Sequence, residues 1–239
     1  MEQLVRVKYC KGESIKFISH LNLVQVFNRA LRRANIPMSI SSGFNPRFRI
    51  SFGPPLPLGI SSISEYLDIK LKEEIIVEEL VEKLNRVLPQ GLKILRAKIL
   101  PSSVDSLVKV IDRATYIITI KVKEKLLNSG TKNQEDAFKG LIKEIDKNVK
   151  EFVNLEEIIV EKQTKNGIKM VDIRPLISDI KAQKFQNPIF EFNLSLKIGQ
   201  QGNLNPRYVL KAWISYYANN FEILEICRDG LYVKDRELI

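Results

Sequence analysis

The sequence predicts an α+β protein made of two tandem ferredoxin-like (βαββαβ) units, at residues 1–101 and 113–239. Three observations lead to this class. A length of 239 residues is comfortable for two domains. A composition of 44% hydrophobic and 28% charged residues is typical of globular chains. Stretches with strand and helix periodicity follow one another in the same order twice along the chain.

The first half of the chain predicts the order β-α-β-β-α-β. Leu4–Tyr9 alternates between apolar and polar residues, as a half-buried strand does. Ser19–Ala34 has helical spacing, with Ser19 as the expected N-cap and Pro37 as the residue that stops the helix. The remaining segments are a strand at Pro37–Ser42, an extended pair at Arg47–Phe52 and Ser64–Leu71, a helix at Glu74–Leu88 and a strand at Leu92–Ile99.

The second half repeats the plan loosely after a connection at Ser102–Asp112. Its segments are a strand at Thr115–Val122, a helix at Asp136–Val149, a strand pair at Leu155–Glu161 and Lys169–Ile173 with a turn at Asn166–Gly167, a strand at Ile189–Leu196, a helix at Pro206–Ala218 and a strand at Phe221–Arg228. Tandem units of this kind occur in the RAMP-type CRISPR proteins, where they often present a groove. That likeness is one of fold, and fold does not fix function.

Several classes of protein are excluded or disfavoured by composition. No apolar run approaches the roughly 18 residues of a membrane span, and the first residues contain no apolar signal core, so we expect a cytoplasmic protein without a membrane partner. The two cysteines, Cys10 and Cys227, are too far apart in sequence for a CxxC metal or iron–sulfur motif. We therefore expect no metal site and no cofactor bound by the chain itself.

Positive charge is concentrated at the start of the chain. Residues 1–60 hold nine Lys and Arg against two acids, whereas the other 179 residues hold 29 basic and 26 acidic groups. Six of the nine are Arg, whose planar guanidinium group forms bidentate hydrogen bonds with phosphate and stacks on bases better than the Lys ammonium does. Such a region indicates a polyanion partner, most plausibly RNA, although a basic solvated surface is the plain alternative.

The first helix carries part of this charge. Gln25, Arg29, Arg32 and Arg33 share the face opposite the apolar stripe, and the helix contains no acid to pair with them. A solvated helix face normally mixes Lys with Glu. We therefore expect the three guanidinium groups to point the same way and to form an anion site.

The turn after the helix supplies the rest of the expected site. Phe44 and Asn45 lie between a glycine and a proline, a combination that favours a tight turn. Arg47 and Arg49 alternate with apolar residues, so both should project from one side of a strand. Aromatic and Arg side chains together suit base stacking and phosphate contact. We expect Phe44 to be exposed and Phe52 to be buried.

The titratable residues near this turn have more than one interpretation. His20 is the only histidine, and it lies at the expected helix N-terminus, where the dipole lowers its pKa. It could act as a general base in RNA cleavage, contact a ligand or cap the helix. Glu65 and Asp68 are expected to pair with Arg47 or Arg49.

These residues carry a resemblance to a known family. The run FISHLNLVQVFNRALRRANIPMSISSGFNPRFRISFGPPLPLGISSISEYLDI resembles the radical-SAM-linked protein family, a bacterial domain of unknown function. The motifs LPQGLKI, DIRPLI and GNLNPRYVL agree with it. Members are encoded beside, or fused to, a radical SAM protein, and ribonuclease E/G and ribosomal proteins are frequent neighbours. The resemblance implies a radical SAM partner and a role near RNA metabolism.

The chain departs from the family pattern at two positions. Asn22 stands where Asp is common, and Arg47 stands where His is common. The second difference weakens any mechanism that needs two imidazoles, while it preserves contact with phosphate. The chain also lacks the three-cysteine motif with which a radical SAM enzyme binds its cluster, so it cannot perform that chemistry alone.

Three functions follow as hypotheses. The preferred one is an RNA-binding adaptor, not independently catalytic, that serves a separate radical SAM enzyme in tRNA, rRNA or ribosome metabolism. The second is a metal-independent endoribonuclease of the RAMP (Cas6-like) type with His20 as base, and the third is a docking module for the radical SAM partner. Under the first, the expected RNA-binding residues are Ser19, His20, Arg29, Arg32, Arg33, Phe44, Asn45, Arg47 and Arg49.

Overall fold

A computed structural model describes residues 2–123, 134–164, 167–186, 188–217 and 221–239. It divides into two compact units. The first unit consists of residues 1–112 together with Arg228–Ile239, and the second is Arg113–Cys227. The chain is a mixed α+β protein whose paired strands are mostly antiparallel. The predicted domain boundaries, 1–101 and 113–239, remain a prediction. In the division into two compact units, Arg228–Ile239 belongs to the first unit.

The first unit contains the order β-α-β-β-α-β that periodicity predicts. Its elements are β1 (Gln3–Lys11), α1 (His20–Arg33), β2 (Ile50–Phe52), β3 (Ser61–Leu71), α2 (Val77–Val87), β4 (Leu92–Leu100) and the short helix α3 (Leu107–Val110). The central strand β1 pairs antiparallel with β3 and β4, so that Val5 lies opposite both Ile69 and Ile99. Strand β2 pairs with β3 on the edge that β1 leaves open.

Two helices close one core with these strands. Ser19 caps α1, because its Oγ accepts a hydrogen bond from the Asn22 amide at 3.3 Å. Asn35, with φ of 52°, takes the left-handed conformation that ends the helix. The core combines the buried stripes of both helices with the inward residues of the strands; its helical members are Leu23, Phe27, Ala30, Leu31, Leu80 and Leu84.

Two predicted strands of this unit differ from those observed. The segment expected as a strand at Pro37–Ser42 contributes only isolated bridges, Met38 to Leu71 and Ile40 to Phe48. The strand expected from Arg47 begins at Ile50 instead. A projecting turn between residues 41 and 47 interrupts the pairing there, and Pro37 cannot donate a ladder hydrogen bond.

The second unit has a similar alternation with one additional hairpin. Its elements are β5 (Arg113–Val122), α4 (Gln134–Val153), β6 (Ile159–Thr164), β7 (Gly167–Asp172), β8 (Ile177–Gln186), β9 (Ile189–Lys197), α5 (Pro206–Tyr217) and β10 (Phe221–Val233), whose last residues enter the first unit, where β11 (Arg236–Glu237) pairs with it. Strand β9 pairs antiparallel with β5 and with β8. Trp213 packs against Phe192, with ring centroids 5.1 Å apart, in the core of this unit.

Periodicity misses β8, whereas the strand pair predicted before it is present as β6 and β7. Strands β6 and β7 form a two-stranded sheet of their own rather than joining β9. The strand beside β9 is β8, whose register shifts twice, between Ile177 and Asp179 and between Ala182 and Lys184. These irregularities break the alternation by which a strand is recognised. The turn predicted at Asn166–Gly167 lies partly outside the described residues.

Within the described residues, no helix combines the length and the apolar character that crossing a membrane requires.

Candidate functional site

The predicted arginines all have exposed side chains, but they do not share one direction. The guanidinium carbon of Arg32 lies 5.2 Å from the centre of the Phe48 ring, which brings it to the segment that carries Arg47 and Arg49. Arg33 instead donates a 2.6 Å hydrogen bond to the carbonyl of Val87, the last residue of α2. Successive helical residues point about 100° apart, so long side chains on one face reach different neighbours.

We call Arg29, Arg32, Arg47 and Arg49 the basic surface. Arg49 lies 3.8 Å from the exposed carboxylate of Glu2, an ion pair that solvent weakens. The side chains of Arg29 and Arg47 make no ion pair or hydrogen bond with the parts of the chain that the structure describes. Positive charge on this surface is therefore available to an anionic partner.

The turn beside the basic surface projects into solvent. At its base the Ser41 amide donates to the Arg47 carbonyl at 2.8 Å, and the Arg47 amide donates to Ser41 Oγ at 3.1 Å. Gly43 has a φ of 135°, which side chains rarely permit. Phe44 at the tip is wholly exposed, as expected, and Asn45 beside it is also exposed. An exposed aromatic ring thus lies on the turn that Arg47 closes.

Both acids near this turn bind partners other than those expected. Glu65 was expected to pair with Arg47 or Arg49, but it receives a two-pronged contact from Arg228, whose Nε lies 2.7 Å from Glu65 Oε1. Asp68 is held by Arg6 through hydrogen bonds of 2.8 and 2.9 Å across β1 and β3. Both pairs are buried, and neither neutralises the basic surface.

A second group of polar residues surrounds a small cavity, which we call the Tyr9 cavity. It is enclosed in part by residues 53–59, which we call the Pro-rich turn. Its water-accessible volume is about 10 Å³, room for about one water molecule. Its lining residues are Tyr9, Lys11, His20, Leu23, Phe52, Gly53, Pro54, Pro55, Leu56 and Glu65.

His20 is the only predicted site residue that lines this cavity. It is the first residue of α1, and its ring stands edge-on to Phe52 at a centroid distance of 5.4 Å. Phe52 was expected to be buried and is half-buried. Burial lowers the pKa of His20 below its usual value; Glu65 opposes this effect and Lys11 adds to it. The imidazole is therefore neutral at pH 7, able to donate from one nitrogen and accept at the other.

Two further polar groups of the cavity were missed by the sequence analysis. Burial, and then the Glu65 carboxylate, raise the pKa of the Tyr9 phenol well above its usual value, so its hydroxyl keeps its proton. Lys11 Nζ donates to the carbonyls of Lys16 at 3.0 Å and Ile18 at 2.7 Å. Burial also lowers the pKa of this ammonium group.

A sequence signal for part of this cluster existed. Lys11 ends the alternating segment that begins at Leu4, at a position where the alternation places a buried side chain. Arg228 offered no comparable signal, because its partner Glu65 lies 163 residues away. Among the residues that the structure describes, no group of three or more His, Cys, Asp or Glu could hold a metal ion.

Comparisons with solved structures find a similar fold at low sequence identity. A chain of a Cbf5-Nop10-Gar1 complex matches with a TM-score of 0.52 and 10% identity, over 98% of this chain and 50% of that one. An H/ACA RNP bound to a substrate RNA and an archaeal box H/ACA sRNP Nop10-Cbf5 complex match with TM-scores of 0.42, at 8% and 10% identity, each over 95% of this chain and 46% of theirs. The chain spans about half the length of these solved chains, and the likeness is one of fold alone.

Comparison with protein families gives a direct result, whereas no curated protein matches the sequence. Residues 5–206, most of the chain, match the family described as "uncharacterized protein conserved in bacteria" (DUF2344). The match includes α1, the projecting turn, the Pro-rich turn and all the residues that line the Tyr9 cavity. The chain therefore belongs to this bacterial family.

Proposed function

We propose that this protein is an RNA-binding adaptor, without independent catalytic activity, that acts in the cytoplasm with a separate radical SAM enzyme. The RNA partner is supported by the residues of the basic surface. The radical SAM partner is supported by the resemblance noted above and by the two cysteines of the chain, too few for the cluster that such an enzyme needs.

The observation that carries the RNA proposal is the set of exposed arginines on α1 and on the segment that also carries the exposed Phe44 ring. Arg29 and Arg47 lack protein partners in the described chain, and Arg32 lies against the Phe48 ring rather than against an acid. Guanidinium groups bind phosphate in two-pronged fashion, and exposed aromatic rings stack on unpaired bases. Phe44 would then contact a base or ribose, and Asn45 would shape the turn that presents it.

The tandem ferredoxin-like, RAMP-like architecture is part of the same proposal. It is supported by the element order of the first unit and by the antiparallel arrangement of β4, β1, β3 and β2. In the second unit the corresponding strands are β10, β5, β9 and β8, with β6 and β7 as an inserted hairpin. The RNA part of the proposal rests on the arginines of the basic surface.

The test is RNA binding as a function of salt. Fluorescence anisotropy with a labelled single-stranded RNA should show an affinity that falls linearly on a log–log salt plot, by roughly 0.7 per phosphate neutralised. The variant Arg29→Ala/Arg47→Ala should make this slope shallower by roughly 1.4. The matched control Lys83→Ala/Arg86→Ala removes the same charge from α2, where both residues pair with acids four positions away. It should leave the slope unchanged.

Two results would contradict the proposal. One is an affinity that does not change between low and moderate salt, and the other is an equal loss in both double variants. Absence of RNA binding, together with co-purification of the radical SAM partner after nuclease and high-salt washing, would instead establish a protein-docking module.

An endoribonuclease remains the second candidate, because His20 shares the Tyr9 cavity with the titratable groups of Tyr9 and Lys11, one of which could be the second group of an acid–base pair. Cleavage of a structured RNA in the presence of a chelator, lost in His20→Ala while binding persists, would support it. Wild-type protein that leaves such RNA intact removes it.

A further inference from the structure

The Tyr9 cavity contains hydrogen-bond donors that the protein itself does not use. Tyr9 is 2% exposed, yet its hydroxyl makes no hydrogen bond with the described chain. Lys11 is also 2% exposed, and its ammonium group gives two of its three N–H donors to carbonyls. Neither ring nitrogen of His20 has a partner in the described chain. These hydrogen-bonding groups line the cavity together, so the cavity is suited to a polar occupant.

The charge around the cavity favours an anionic occupant. The carboxylate of Glu65 is 5% exposed, and both of its oxygens are taken by Arg228, which also donates to the Pro54 carbonyl at 3.0 Å. This pair is neutral as a unit. The Lys11 ammonium, in contrast, donates its hydrogen bonds to carbonyl oxygens, and the attraction of the Glu65 carboxylate for it is opposed by the Arg228 guanidinium. His20 begins the 14-residue helix α1, whose dipole places partial positive charge at the same end.

We propose that the Tyr9 cavity is an oxyanion-binding site, which takes one oxygen of a phosphate or carboxylate group and hydrogen-bonds it through Tyr9, Lys11 and His20. The volume of about 10 Å³ admits a single oxygen atom, so the rest of the ligand lies outside. An oxygen of this kind accepts several hydrogen bonds at once and gives the Lys11 ammonium a directly hydrogen-bonded anionic partner. The site differs from the basic surface in residues and in burial, and the inference does not rest on the proposed function.

Apolar side chains follow the cavity residues along the chain and remain exposed. Leu21 succeeds His20, Phe17 lies between the two residues whose carbonyls hold Lys11, and Leu58 belongs to the Pro-rich turn. The Gly59 amide ties this turn to the Lys16 carbonyl at 3.0 Å.

The experiment is a titration of the full chain with inorganic phosphate at constant ionic strength, followed by thermal unfolding and by ³¹P NMR line width. Saturable binding with a rise in Tm is expected for wild type. Tyr9→Phe removes only the hydroxyl and keeps the ring that packs on Phe27 at 4.9 Å. Loss of one hydrogen bond to a charged group should weaken phosphate binding about tenfold or more. Lys83→Ala, on α2 and outside both the cavity and the basic surface, is the matched control and should bind phosphate as wild type does.

Two additional arms identify the source of the oxyanion. Acetate in place of phosphate tests a carboxylate ligand. An RNA with a 5′-phosphate, compared with the same RNA carrying a 5′-hydroxyl, tests a phosphate on nucleic acid, and any preference for the phosphate should disappear in Tyr9→Phe. The proposal is overturned if no oxyanion binds saturably, or if Tyr9→Phe binds as tightly as wild type, since the cavity would then hold only water. Loss of RNA binding in Arg29→Ala/Arg47→Ala with phosphate binding intact separates this site from the proposed function.

Discussion

Removing the Arg228 guanidinium should be among the most destabilising single changes in the first unit. The Arg228 side chain is 1% exposed and that of Glu65 is 6% exposed. Arg228→Met keeps an unbranched side chain in the space but leaves the Glu65 carboxylate buried without its partner. It also removes the 3.0 Å hydrogen bond to the Pro54 carbonyl. The variant therefore loses the favourable interaction of the ion pair and must also bury the Glu65 carboxylate as an isolated charge.

The expected magnitude follows from that burial. Breaking a buried ion pair on one side costs about 3–5 kcal/mol, because the remaining charge cannot reach water. The exposed pair Lys109–Asp105, at 2.7 Å with side chains 60% and 59% exposed, provides a comparison within the same unit. Pairs of that kind contribute about 0.3–0.5 kcal/mol. We therefore expect Arg228→Met to cost several times more than Lys109→Met.

Urea unfolding followed by far-UV circular dichroism measures both variants. The double variant Arg228→Met/Glu65→Leu should recover much of the loss, since it leaves no buried charge unpaired. The reasoning would be refuted if Arg228→Met and Lys109→Met differed by less than about 1 kcal/mol, or if the double variant were less stable than the sum of its single changes predicts.

Two further predictions concern a glycine and the only histidine. Gly91→Ala should lower the free energy of unfolding in urea by about 1–3 kcal/mol, because Gly91 has a φ of 93° and an added Cβ would meet Ser14 Oγ at 2.7 Å. Gly43→Ala should cost less, because Gly43 has a φ of 135° but no atom lies within 4 Å of an added Cβ. Equal losses in the two variants would contradict this account. The folded-state pKa of His20 is lowered from 6.5, so the unfolded chain binds the proton more readily and stability falls as pH drops below 6.5. In His20→Gln the stability should depend less on pH below 6.5 than it does in wild type, while the pH dependence near about pH 8 should be the same in both proteins. An unaltered slope below pH 6.5 would show that the imidazole is not the group responsible.

Local patterns were sufficient to predict the elements that local interactions determine. The buried stripe of α1, its cap at Ser19 and its end before Pro37 all follow from residues close in sequence. The same holds for the exposure of Phe44, which is set by a turn of a few residues. Strand β8 escaped prediction because its register shifts destroy the alternation, although its neighbour β9 keeps it.

The polar interior could not be predicted in the same way. The sequence indicates that Glu65 needs a basic partner, and the nearest candidates along the chain are Arg47 and Arg49. The partner is Arg228, brought there by the arrangement of distant strands. Composition likewise revealed an excess of Arg near the start of the chain, but not that Arg33 would turn to the end of α2 while Arg32 would lie on Phe48. Pairings of this kind are properties of the tertiary structure.

The discontinuity of the first unit bears on how the chain acquires its structure during synthesis. Glu65 emerges from the ribosome 163 residues before the guanidinium that neutralises it. Until Arg228 is translated, burial of that acid is unfavourable, so the first unit can complete its folding only after the second unit has been made. A nascent fragment that stops before Arg228 should therefore be a substrate for chaperones or proteases.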